Sequence, residues 1–280
     1  MIDSENKKLR SFSMLKFLLA GCVLVFPAWG YAKPQTLILQ KQKITQVQHE
    51  SLCTQLKISC QADATWQLYQ APNQSKHHYV IAQLQLFELE RFTQGFQLRN
   101  HWDFSGYLPL SQSPHWTVDG PVEKEDLLDE HGNFIRADAL HLYPVLFPIN
   151  DTDYSIALIQ RWDEMYSGGG MTEEIADFLQ LKPEGKYQQV FQNIPFSVSR
   201  MIRACFSEQD YAQSNEQCHD LEKLVLNIEY RQANTWRIKY HYMRTLSPSS
   251  DQQPINQRQN YLLNVNTADA IQLPRAWTTY

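Results

Sequence analysis

Two adjacent carboxylates, Asp163 and Glu164, close the most apolar stretch of the chain just ahead of Gly168, Gly169 and Gly170. Paired carboxylates held about 5 to 9.5 Å apart carry glycoside hydrolysis, one as acid and the other as base or nucleophile. Bare glycine amides beside them could cradle an anion. Three tryptophans stand in polar company: Trp102 after His101, Trp116 after His115, and Trp162 before Asp163. Exposed, they would stack on sugars or anchor a protein partner. Trp102, Trp116, Trp162, Asp163, Glu164, Gly168, Gly169 and Gly170 are therefore the candidate ligand-binding residues. Each has a plain structural alternative: solvated acids, a glycine turn with positive φ, and tryptophans in a β core.

Other chemistries lack their signatures. The glycine run lacks the Gly-Lys-Ser/Thr ending of a nucleotide-binding loop, and no Gly-x-Ser-x-Gly elbow occurs. Nine histidines are scattered, and the one adjacent pair, His77 and His78, would point to opposite faces of a strand. Asp129-Glu130-His131-Gly132-Asn133 lacks the alternating acids of a calcium loop and reads as a solvated turn. Neither a metal site nor a cofactor is expected, and no catalytic residue is assigned. Glu88 and Glu90 share a strand phase, but two acids on one face are commonplace.

The elements around these residues read mainly as strands. Residues 46–56 fit a short helix, with Val47, Leu52 and Leu56 near helical spacing. Residues 66–69 form a strand, and 78–91 alternate as one longer strand whose phase shifts near Ala82, as at a bulge. Residues 96–102 return as its hairpin partner. Residues 106–138 are polar, acidic and rich in Gly and Pro, a long irregular loop. Strands resume at 140–148 and 154–162. Residues 175–181 suit a strand, or a helix over 173–181 capped by Thr172. After Pro183-Glu184-Gly185 comes a strand at 187–191, then a hairpin of 224–231 and 236–243 around residues 232–234. Residues 247–260 read as a polar loop. The fold expected is mainly β: an antiparallel sandwich or strongly twisted sheet with one or two short helices.

The first 32 residues set the compartment. Lys7, Lys8, Arg10 and Lys16 precede an apolar run from Phe17 to Phe26, and Gly30-Tyr31-Ala32 offers small residues for cleavage. That order is a secretory signal peptide over 1–32, with 33–280 as a single exported domain and no membrane span after cleavage. Leu19-Ala20-Gly21-Cys22 has the form of a lipoprotein box, so Cys22 is an alternative lipid anchor. The chain carries a net charge of −5; the leader holds four of its 25 basic and two of its 30 acidic residues, leaving −7. An acidic chain without a basic cluster argues against nucleic acid as a partner. Cys53, Cys60, Cys205 and Cys218 remain, an even count that reads as two local disulfides, Cys53–Cys60 and Cys205–Cys218. The expectation is a periplasmic or secreted, non-catalytic binding module for a protein or glycan of the cell envelope, in one version an inhibitor or immunity-type factor. An envelope-polymer hydrolase and a structural lipoprotein subunit are the alternatives.

Overall fold

In the computed structural model the described residues are 33–61, 65–93, 95–107, 140–215, 217–265, 271–274 and 277; at Glu164 and Tyr166 the description is of backbone alone. The signal segment with Cys22, Trp116 and nearly all of the long loop lie outside the described residues.

The chain begins by serving two sheets. β1 (Leu37–Ile38) pairs antiparallel with β7 (Leu140–Pro148), while β2 (Gln40–Lys41) pairs with β3 (Trp66–Gln70). Buried Leu39 joins them, its N–H donating to the Pro144 carbonyl at 3.0 Å. The smaller sheet continues through β4 (His77–Ala82), β5 (Gln85–Phe92) and β6 (Gly95–Asp103), in order β2-β3-β4-β5-β6. The larger sheet adds β8 (Tyr154–Tyr166), β9 (Gly169–Leu181), β10 (Tyr187–Arg203), β11 (His219–Gln232), β12 (Thr235–Thr245) and β13 (Ile255–Asn264). Its order is β1-β7-β8-β9-β10-β11-β12-β13, so from β7 onward every strand pairs with its successor. The fold is mainly β, with two antiparallel sheets and two short helices.

Strand alternation builds the layers. In the small sheet Val80, Phe87 and Leu89 face α1 (Gln46–Leu56), which lays down Leu52 and Leu56. Tyr79, Leu84 and Leu86 face the other way, onto Leu142, Leu146, Ile156, Leu158 and Leu179 of the large sheet. The helix starts with a reciprocal cap: Gln48 N–H donates to Thr45 Oγ1, and Thr45 N–H to Gln48 Oε1. It ends at Lys57 in left-handed backbone, which turns the chain so that Cys60 bonds Cys53. His78 is buried and His77 exposed, as strand neighbours must be.

A third apolar cluster lies within the large sheet. Trp236 on β12 packs against Phe147, Phe178 and Phe191 on β7, β9 and β10, with ring centroids 4.6–5.8 Å away. Its Nε1–H donates to the Pro148 carbonyl at 2.7 Å. Such contact between strands far apart in sheet order needs strong twist. β10 supplies it, with three register irregularities against β9 between Gln189 and Ser197.

Three sequence expectations change. Residues 78–91 are two strands, not one bulged strand: Ala82 pairs with Gln85 around Gln83 and Leu84. The phase shift marks a chain reversal, hidden because Gln83, with φ 52°, fills the position that Gly or Asn would have announced. Residues 173–181 lie in β9, so the helical alternative does not form. Residues 247–260 are not wholly loop, because β13 begins at Ile255 and pairs with β12 down to Asn264. It is an edge strand with 256–260 all exposed, so no apolar alternation announces it.

Asp177 is one of several buried acids on strands of the large sheet. Asp177 accepts hydrogen bonds from the Asn193 N–H at 2.7 Å and the Tyr107 hydroxyl at 3.0 Å. Burial nevertheless holds its carboxyl above the usual range, the two donors only partly opposing it. A raised folded-state pKa means that the folded chain takes up this proton more readily than the unfolded chain. Stability from this group is thus full below the unfolded pKa and lost as pH rises through the folded one. Asp177→Asn should remove that loss. Urea unfolding at a series of pH values should show the stability difference, variant minus wild type, growing from acid toward neutral pH. A difference independent of pH would contradict this assignment.

Candidate functional site

The sequence candidates scatter, with one group near a pocket. Trp102 is buried to 4 % exposure and donates Nε1–H to the Lys182 carbonyl at 2.8 Å, so it presents no stacking surface. Trp162 is half-buried, paired in register with the buried Glu173. Asp163 takes a two-pronged bond from Arg161, at 2.8 and 3.1 Å, and a 2.6 Å bond from the Thr172 hydroxyl. Gly168 is at the β8–β9 turn, where Tyr166 pairs with Gly169, and Gly169 and Gly170 already belong to β9. The run does meet a turn at Ser167 and Gly168, but none of the three glycines has the positive φ that the turn reading gave them. What Gly168 provides is room: a Cβ there would lie 3.0 Å from Arg203 Cβ and Cδ. Arg203 in turn lines the pocket.

That pocket, of about 440 Å³, lies at the end of the large sheet. Its floor is a row of residues in direct cross-strand register: Arg200 on β10, Glu222 on β11 and Arg244 on β12. Arg200 Nη1–H donates to Glu222 Oε2 at 3.0 Å; Arg244 Nε–H donates to Oε1 at 2.6 Å, and its Nη2 makes an ion-pair contact with the same oxygen at 2.6 Å. Arg200 and Glu222 are 2 % and 1 % exposed. Position 164 falls in the same row, through Met171. Two residues inward are Val198, Leu224 and Tyr242, part of the Trp236 cluster. The pocket thus begins where the apolar core stops.

Local electrostatics follow from that placement. Burial pushes the Tyr242 hydroxyl up to about 12, with neighbouring Glu222 adding to the rise. For Arg244, burial acts to lower its pKa, but the bonds to Glu222 outweigh it and hold the guanidinium above its ordinary value. Both effects lock Arg244 charged and Tyr242 protonated.

Two loops complete the walls. The first is tied by the Cys205–Cys218 disulfide and contains α2 (Glu208–Ser214), capped reciprocally by Ser207 and Asp210. Backbone bonds from Phe206 and Ser207 hold the Asp210 carboxyl below its usual value. The second loop carries Ser249, Ser250 and Asp251. Asp220 fastens it, accepting from Ser247 N–H at 2.8 Å and the Ser250 hydroxyl at 2.6 Å. Phe206 stands at the pocket 74 % exposed, with the Arg203 guanidinium 5.3 Å from its ring centroid.

Sequence reasoning missed this floor, although a signal existed. Arg200 sits on the period-two phase of Val198 and Ile202, Glu222 on that of Leu224, and Arg244 on that of Tyr240 and Tyr242. A charge on the core phase of three consecutive strands is the mark of a buried polar site.

Comparison with protein-family models, with curated proteins and with solved structures gave no match. Among the described residues no helix is long and apolar enough to cross a membrane, and no cluster of three or more His, Cys, Asp or Glu could hold a metal ion. The two disulfides point to an oxidising, extracytoplasmic compartment.

Proposed function

We propose that the chain is an exported, non-catalytic binding protein of the cell envelope, and that the pocket at the end of the large sheet is its binding element. One observation carries this reading: three of the pocket's four acids, the buried Glu222 and Asp220 and the more accessible Asp210, are already committed as hydrogen-bond acceptors. Glu222 serves two arginines, Asp220 fastens the 247–252 loop, and Asp210 caps α2. Acids fixed in this way make a rigid, polar lining suited to recognition. Acid–base turnover instead needs a group within reach of substrate and able to exchange its proton. Asp163, one of the two acids named for the hydrolase alternative with Glu164, is similarly occupied by Arg161 and Thr172.

The test uses residues 33–280 in oxidised form, incubated with insoluble envelope polymer and then sedimented. Co-sedimentation with no time-dependent release of soluble fragments is the expected result. Release of fragments would replace this reading with the hydrolase. Absence of co-sedimentation, together with absence of any soluble envelope partner by affinity capture, would overturn it altogether.

A further inference from the structure

We infer that the pocket above Arg200, Glu222 and Arg244 takes an uncharged, hydroxyl-rich ring, that is, one or two sugar residues of an envelope glycan. This rests on the binding-protein reading and narrows it to a ligand class.

Charge comes first. Three arginines and four acids line the pocket, so the two signs nearly cancel. A phosphate-rich or polycarboxylate ligand would meet those acids, and a polycation would meet the guanidiniums. A polyol can donate to Asp251 and accept from Arg244, whose hydrogen bond to Glu222 runs through Nε. The hydroxyls of Ser249 and Ser250 extend the same donor–acceptor character along one wall.

Shape comes second. A volume of about 440 Å³ lies at the small end of the range for small-molecule sites, about 300–1,000 Å³. Phe206 adds an apolar plate at the mouth, backed by Arg203 and otherwise open. Sugar rings present C–H faces and hydroxyl edges. A flat aromatic beside fixed planar polar groups satisfies both at once. Preorganisation completes the case: the disulfide, the α2 cap and the Asp220 bonds hold both loops before any ligand arrives.

The experiment is a titration of residues 33–280, followed by calorimetry and by amide NMR, against three probes: a neutral disaccharide panel, glutamate, and a lysine-containing dipeptide. At least one disaccharide should bind at millimolar concentration and shift amides in 203–210 and 247–252. Phe206→Ala, a change at an exposed site, should weaken it about three- to tenfold. Asp251→Asn, also exposed, should weaken it as well. If glutamate or the dipeptide binds in these loops and no sugar does, the sugar assignment falls. Sugar binding unaffected by Phe206→Ala also overturns it. Polymer co-sedimentation without any competing sugar removes this inference and leaves the binding-protein reading intact.

Discussion

Glu222→Gln should cost the fold about 3–5 kcal/mol, because two guanidiniums would lose the one carboxylate between them in a site nearly closed to water. Glu222 bonds both Arg200 and Arg244 in a single cross-strand row. Glutamine keeps the shape and one acceptor but loses the charge, so the deficit is electrostatic, not steric. Urea denaturation at neutral pH measures it directly. A loss below about 1 kcal/mol, the range of exposed ion pairs, would mean that water reaches the row and that it is not buried in solution. A companion variant separates structure from recognition. Replacing Arg200, Glu222 and Arg244 together with apolar residues of similar volume should restore much of the stability while abolishing binding. That pattern has physical precedent, since a desolvated ion cluster returns little net energy compared with good apolar packing.

Trp236→Ala should be equally severe, at about 3–5 kcal/mol. The indole is fully buried, and its removal opens a cavity among Phe147, Phe178 and Phe191. It also strips the Pro148 carbonyl of its donor. Because these contacts join β12 to β7, β9 and β10, the damage should loosen the twist of the large sheet as well as lower its stability. Near-UV circular dichroism should fall at temperatures where far-UV signal persists. A variant with unchanged near-UV signal and a loss of about 1 kcal/mol or less would contradict the central place given to this residue.

Much of the fold was legible in the chain. The hairpin of β11 and β12 announced itself through Trp236, Ile238, Tyr240 and Tyr242 alternating with Arg237, Lys239 and His241, and Ile228 does pair with Ile238. The helix over 46–56 and both disulfides were readable from local spacing. What escaped had physical reasons. The β4–β5 reversal uses Gln83 at positive φ, a residue type that carries no turn signal. β13 is an edge strand, so its side chains need not alternate. The pocket is harder still, because Arg200, Glu222 and Arg244 lie 22 residues apart and meet only through register. Gly168 was singled out for its chemistry, yet its role is space for Arg203.

The central claim is that recognition occurs at the end of the large sheet. Hydrogen–deuterium exchange of residues 33–280, with and without saturating envelope polymer, tests this most directly. Slowed exchange in 203–210 and 247–252, the two loops walling the pocket, is the predicted result. Protection confined to α1 and the small sheet, with those loops unchanged, would contradict it.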